Sequence, residues 1–223
     1  MVGPVYREPR SVCGAPPQAG AAGWRSALET VSDRDIWLTC LVGTIFVGGQ
    51  FILLSYLQLF LHSRLLWPAE WTGRLLALLI LAGTLGRVFW GSASDRWLGG
   101  RRKPVLVTAG LLTGAASLAM QLVRPVTPLG AVAGLTFILG FAGLGWNGVY
   151  ITLLSELGAF RNKAATAVGV GVSLMQLGVL ALPPFFGFLV DYSHAYRDSW
   201  LFLAAVIFLG MFLAAGVRER GME

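Results

Sequence analysis

The sequence predicts an all-α membrane protein with six transmembrane helices. Three observations predict it. Six long runs are free or nearly free of charge. Only 13% of the 223 residues are charged, against about 25% in an ordinary soluble domain. Mean hydropathy is +0.69, and the runs show no polar face of the kind a soluble helix keeps toward water.

The runs cover about 36–61, 72–94, 104–123, 129–154, 164–190 and 199–217. Each is close to or above the roughly 20 residues that carry a helix across ~30 Å of hydrocarbon. Within one short segment only a helix satisfies its own backbone groups in lipid. Ser32 and Asp33 stand before the first run as capping residues, Thr72 is expected to open the second, and Pro104 opens the third. The chain thus divides into an arm at 1–34, a bundle at 35–217 and a tail at 218–223. The arm is rich in Pro, Gly and Ala and has no apolar segment of the signal-peptide type. The 29 glycines suit closely packed membrane helices.

Lys and Arg in the loops set the direction. Twelve fall on one face: Arg7, Arg10, Arg25, Arg34, Arg96, Arg101, Arg102, Lys103, Arg161, Lys163, Arg218 and Arg220. Four fall on the other: Arg64, Arg74, Arg124 and Arg197. The richer face is expected to be cytoplasmic, with both termini inside. The net charge of +6 therefore reads as topology and not as a nucleic-acid surface. Cys13 lies in the arm and Cys40 in an apolar run, so no disulfide framework is implied.

The second and third runs are joined by GRVFWGSASDRWLGGRRKPVL, from Gly86 to Leu106. Its pattern is Gly91-xxx-Asp95-Arg96, then Gly99-Gly100-Arg101-Arg102-Lys103. This resembles the loop signature of the major facilitator superfamily, secondary transporters of twelve helices in two six-helix halves. VYREPR at 5–10 and SDRDIWL at 32–38 resemble the central linker of that family. GWNGVYITLLSEL at 145–157, FRNKAATAVGVGVS at 160–173 and GVLALPPFFGFLVD at 178–191 resemble its helices 10 and 11. The resemblance is to the second half, helices 7–12, built as a 3+3 inverted repeat. It implies a multi-pass protein of the plasma membrane, the inner membrane in a bacterium. It implies that Gly91, Asp95, Arg96, Gly99, Arg101 and Arg102 form a conformational switch. In the family the acid docks at a helix N-terminus in the neighbouring repeat, here near Ala164–Thr166 with Arg96 and Arg161 beside it. A short echo, Gly91-xxx-Asp95 and Gly187-xxx-Asp191 at opposite faces, suits inverted repeats.

Arg87 is the charge inside a span. Intramembrane charge is costly and marks a functional site by default. A guanidinium keeps its proton and can grip a carboxylate or phosphate with two bonds. Gln50, Tyr56, Asn147, Tyr150 and Gln176 are further polar residues inside spans. With Arg87 they make the candidate substrate cavity, with interhelical hydrogen bonding as the plainer role. Trp146-Asn147 beside Gly145 and Gly148 predicts a bend or close approach, and Gly110-xxx-Gly114 and Gly130-xxx-Gly134 predict close helix contacts. Pro183-Pro184 removes backbone donors and suggests flexing of the fifth span.

Enzymatic chemistry finds no support. His62 and His194 lie in loops without a paired nucleophile, and neither a phosphate-binding loop nor metal or dinucleotide spacing occurs. No cofactor is called for. The expected partners are the lipid bilayer, a small organic solute (an organic anion among the candidates), and an N-terminal six-helix half or a second copy of the chain. The competing expectation is a truncated or regulatory membrane protein with no transport activity of its own.

Overall fold

The computed structural model describes residues 32–159 and 163–219. The arm up to residue 31, the far end of the tail, and Arg7, Arg10, Arg25, Arg161 and Arg220 lie outside the described residues. Seven helices form among those described: α1 (Arg34–Leu65), α2 (Ala69–Arg96), α3 (Lys103–Met120), α4 (Leu129–Gly143), α5 (Asn147–Ala159), α6 (Ala164–Ser193) and α7 (Tyr196–Gly216). Together α4 and α5 make the fourth of six segments long and apolar enough to cross a membrane.

The helix ends follow from local chemistry. Asp33 caps α1, its carboxylate accepting from the Asp35 N–H at 2.9 Å, which satisfies one of the orphan donors of the first turn. Pro104 sits in the first turn of α3, where a missing N–H costs nothing. The start of α2 differs from expectation. It begins at Ala69, after Pro68, and not at Thr72. The Trp71 and Thr72 N–H groups donate to the Pro68 carbonyl at 3.0 and 3.2 Å. Thr72 is buried inside the helix, its hydroxyl turned back on the Ala69 carbonyl at 3.1 Å. The charge of Glu70 kept these residues out of the apolar run, yet a helix tolerates an acid in its first turn.

α1 is the central element. It packs against α6 and α7, α3 packs against α7 and α4, and α2 lies on α4. Burial is greatest in α1. In the most apolar stretch of α1, 61% of residues are buried, against 33% in α2 and 22% in α6. The core is apolar and aromatic, with Ile52, Leu53, Leu57, Leu79, Trp146 and Phe186 all closed off.

Two seams bring backbones into contact. A Cβ on Gly178 of α6 would stand 1.8 Å from the Thr44 carbonyl oxygen of α1. In the other seam, a Cβ on Gly86 of α2 or on Gly140 of α4 would stand 2.2 Å from the Phe141 or Leu79 carbonyl oxygen. Without a hydrophobic drive between helices in lipid, such close approach is the main source of association. Gly110 and Gly114 meet Met211 and Phe208 of α7, as expected. Gly130 and Gly134 do not: nothing lies within 4 Å of a Cβ built there. They sit in the first turns of α4, on the exposed side of that helix. α6 continues as helix through Pro183 and Pro184.

Candidate functional site

The fourth span breaks where Gly143-Leu-Gly-Trp-Asn147 interrupts it. α4 ends at Gly143, three residues form a turn, and α5 starts at Asn147. A break leaves carbonyls without helical donors, which in lipid must find other partners. The Leu144 carbonyl finds two. Arg87 Nε of α2 donates to it at 3.4 Å, and Asn147 Nδ2 donates at 3.2 Å. Asn147 Nδ2 also donates to Gln50 Oε1 of α1 at 2.8 Å. Three of the residues singled out in the sequence, Arg87, Asn147 and Gln50, thus meet around one freed carbonyl. Arg87 lies nine residues before the end of α2, about 13 Å deep at ~1.5 Å per residue.

Trp146 closes the back of this cluster. Its indole N–H donates to Gly143 O at 3.0 Å, and its ring packs edge-on against Phe46 and Tyr150. A narrow crevice lined by Phe46, Gln50, Thr113, Gly143 and Trp146 opens beside Gln50. Arg87 itself is exposed on α2, so most of its donors stay available. The close approach predicted around Trp146-Asn147 falls on Gly145, whose Cβ would meet the Gly86 backbone and the Trp90 ring of α2 at 2.9 Å each; nothing described lies within 4 Å of a Cβ on Gly148.

The other cavity candidates stand apart. Tyr150 is fully buried, and its hydroxyl has no hydrogen-bond partner among the described residues. Gly43 and Gly171 make room for its ring and hydroxyl. Tyr56 is half-buried, its ring packed at a tilt against Phe186 and its hydroxyl over Gly187 of α6. Gln176 is exposed on α6.

At the charged end of the bundle, Gly99 and Gly100 take positive φ values of 60° and 80°, which side chains disfavour. The turn they make folds the basic run back over the end of α2. Arg102 then reaches Asp95 at 2.5 Å and Glu156 of α5 at 3.3 Å. It also donates to Ser94 Oγ at 3.0 Å, and Ser94 in turn donates to the Arg101 carbonyl at 2.8 Å. Burial pulls the Arg102 pKa down. The hydrogen bond to Asp95 and the charges of Glu156 and Asp95 outweigh it and hold the guanidinium above the ordinary arginine range. It therefore stays cationic. Arg96 and Arg101 are exposed and make no ion pair among the described residues. Among the described residues, the ion-pair partner of Asp95 is thus Arg102 from its own loop. The reason is geometric: the two glycines shorten the reach between residues 95 and 102.

Sequence reasoning missed the tail. Glu219 accepts from the N–H groups of Arg102 and Lys103 at 2.5 Å each, where α3 begins. A carboxylate is favoured there by the orphan donors and the helix dipole. The Arg218 N–H donates to buried Asp35 at 3.2 Å. No spacing rule pointed to Glu219, which reads as one more charge in a terminal tail.

No family model matches the sequence, and neither does any curated protein. Among solved structures, the chain is similar to the major facilitator superfamily transporter FucP in its outward conformation. The TM-score is 0.73 at 16% sequence identity, covering 91% of this chain and 47% of that one. The chain spans about half the length of that transporter. The fold of this multi-pass integral membrane protein is therefore that of one six-helix half of a major facilitator superfamily transporter.

Proposed function

We propose that the chain carries a small organic solute across the membrane as half of a secondary transporter working by alternating access. The observation that carries this reading is the polar cluster at the break of the fourth span. Exposed Arg87 is held there against Leu144 O, on the helix that shows one of the two least covered faces of the bundle. A cation kept in the membrane with no carboxylate partner among the described residues suits an anionic solute. The poorly covered faces of α2 and α6 suit docking of a second six-helix unit, either an N-terminal half or a second copy.

Packing supports the inverted repeat. The fifth span lies on the first, as the second lies on the fourth; the sixth lies on the first, as the third lies on the fourth. Exchanging the first three spans with the last three leaves these pairings unchanged, as a pseudo-two-fold would require. The Asp95–Arg102–Glu156 triad ties the loop between the second and third spans to the fourth. That suits a latch on one face of a rocking unit, with the richly basic side placed in the cytoplasm.

The test is uptake by vesicles holding this chain together with a six-helix partner half, screened over small organic anions and neutral sugars. Anion uptake lost in Arg87→Ala supports the reading. Full uptake in that variant defeats the role of Arg87. No uptake of any solute by any pairing, with the chain inserted and folded, favours a membrane protein without transport activity.

A further inference from the structure

The end of the bundle opposite the charged joint has few basic residues, yet three of them converge. Arg64 in the last turn of α1, Arg124 after α3 and Arg197 in the first turn of α7 line one open cleft of about 340 Å³. That is roughly ten water volumes at ~30 Å³ each, room enough for a phosphate ester. Its walls, among the described residues, hold no carboxylate. None of the three arginines makes an ion pair among the described residues. Arg64 spends one N–H on the His194 carbonyl at 3.4 Å, and the turn bearing Arg124 is pinned by its backbone N–H to Thr127 Oγ1 at 2.9 Å.

The floor is aromatic and fixed. Phe60 packs edge-on against Tyr196 and Trp200 at 5.2 and 5.4 Å. Trp200 is wholly buried, and its indole N–H has no acceptor among the described residues. A buried donor without an acceptor costs about 1–3 kcal/mol. Three unpaired guanidiniums in one cleft repel each other until an anion joins them, and guanidinium grips phosphate oxygens in pairs. Beside the cleft, Leu122 and Val126 flank Arg124 and are 73% and 88% exposed. Exposed apolar side chains at the end of a span are favoured next to lipid over water.

We propose that this cleft is a binding site for a phosphate-bearing anion, namely the headgroup of an anionic phospholipid in the leaflet opposite the charged joint. The exposed Leu122 and Val126 favour a lipid over a soluble phosphoester, since they give its glycerol and acyl portion an apolar neighbour. All three arginines belong to this chain, and the site does not rest on the transported solute proposed above.

The full chain, purified in neutral detergent, is offered phosphatidylglycerol, phosphatidylcholine and soluble glycerol phosphate separately, with retention read by native mass spectrometry. Phosphatidylglycerol is expected to be retained about tenfold over phosphatidylcholine, as expected for charge-assisted bonds. The double variant Arg124→Gln/Arg197→Gln should reduce it to the phosphatidylcholine level. Arg74→Gln, which removes a charge held by Glu70 on the same face but outside the cleft, should leave retention unchanged. Glycerol phosphate bound by the native chain and lost in the double variant would support the phosphate site and assign it to a soluble ester. Equal retention of both lipids with no glycerol phosphate bound overturns the proposal, as does an equal loss in Arg74→Gln. Should the double variant fail to fold by circular dichroism, the single Arg124→Gln is expected to show a partial loss, and unchanged retention there overturns it too.

Discussion

Arg87 Nε lies 3.4 Å from the Leu144 carbonyl oxygen, across the gap between the second span and the broken fourth. The bond is long for an N–H···O contact, and it engages one donor of five. Its weight is therefore positional more than energetic. It aims a cation at the break while leaving the rest of the guanidinium exposed. Arg87→Lys keeps the charge but loses the planar fork. Uptake in the paired-half vesicles should fall by roughly tenfold in Arg87→Lys and by more in Arg87→Ala, while thermal unfolding in detergent moves little. A large loss of stability with uptake retained would make Arg87 a packing residue.

The ion triad makes an asymmetric prediction. Arg102 has one partner on α2 and one on α5, with its own side chain 13% exposed and those of Asp95 and Glu156 61% and 44% exposed. Exposed pairs contribute about 0–1 kcal/mol each. Asp95→Asn or Glu156→Gln alone should thus cost under ~1 kcal/mol. Arg102→Met removes the shared cation, leaves two carboxylates facing each other and strips Ser94 of a donor. Its cost should exceed the sum of the other two, and a double-mutant cycle on detergent unfolding reads the coupling. Additive costs would mean that no network exists.

The six spans were legible because lipid imposes a length and a composition that soluble folding does not. The joint was legible because its charges are contiguous in sequence. Leu144 was not, since its contribution is a backbone oxygen released by a break, and no side chain advertises it. Asn147 and Gln50 were visible as polar residues in apolar runs, but their 2.8 Å contact depends on helix rotation, which composition leaves open. Thr72 misled because capping preference was read from residue type alone, whereas Pro68 had already set the start. Gly130 and Gly134 misled for a related reason: a small-residue spacing permits close approach but does not supply a neighbour.

Tyr150 separates burial from function. Its ring is enclosed between Gly43 and Gly171, and its hydroxyl is unpaired among the described residues. An unsatisfied buried hydroxyl costs about 1–3 kcal/mol. Tyr150→Phe should be neutral or stabilising by up to ~1 kcal/mol in detergent unfolding and should leave uptake intact. Loss of uptake with stability unchanged would place the hydroxyl in the solute path.

The seam between α1 and α6 gives the sharpest steric prediction. A methyl group on Gly178 would stand 1.8 Å from a backbone oxygen, Thr44 O, and backbone cannot rotate aside as a side chain can. Gly178→Ala must push the two helices apart or shift one along the other. Either movement also lengthens the Thr44 Oγ1 bond to the Leu174 carbonyl, now 3.1 Å. Overpacking typically costs 1–3 kcal/mol, and about 3 kcal/mol or more is expected where neither partner can yield. Gly134→Ala on α4 is the matched control, because nothing lies within 4 Å of its added carbon. It replaces Gly by a better helix former and should be neutral or stabilising by up to ~1 kcal/mol. Thermal unfolding of the two variants in one detergent should therefore move in opposite directions, or with Gly134→Ala unmoved. Equal stability of both would mean that α1 and α6 are not in backbone contact.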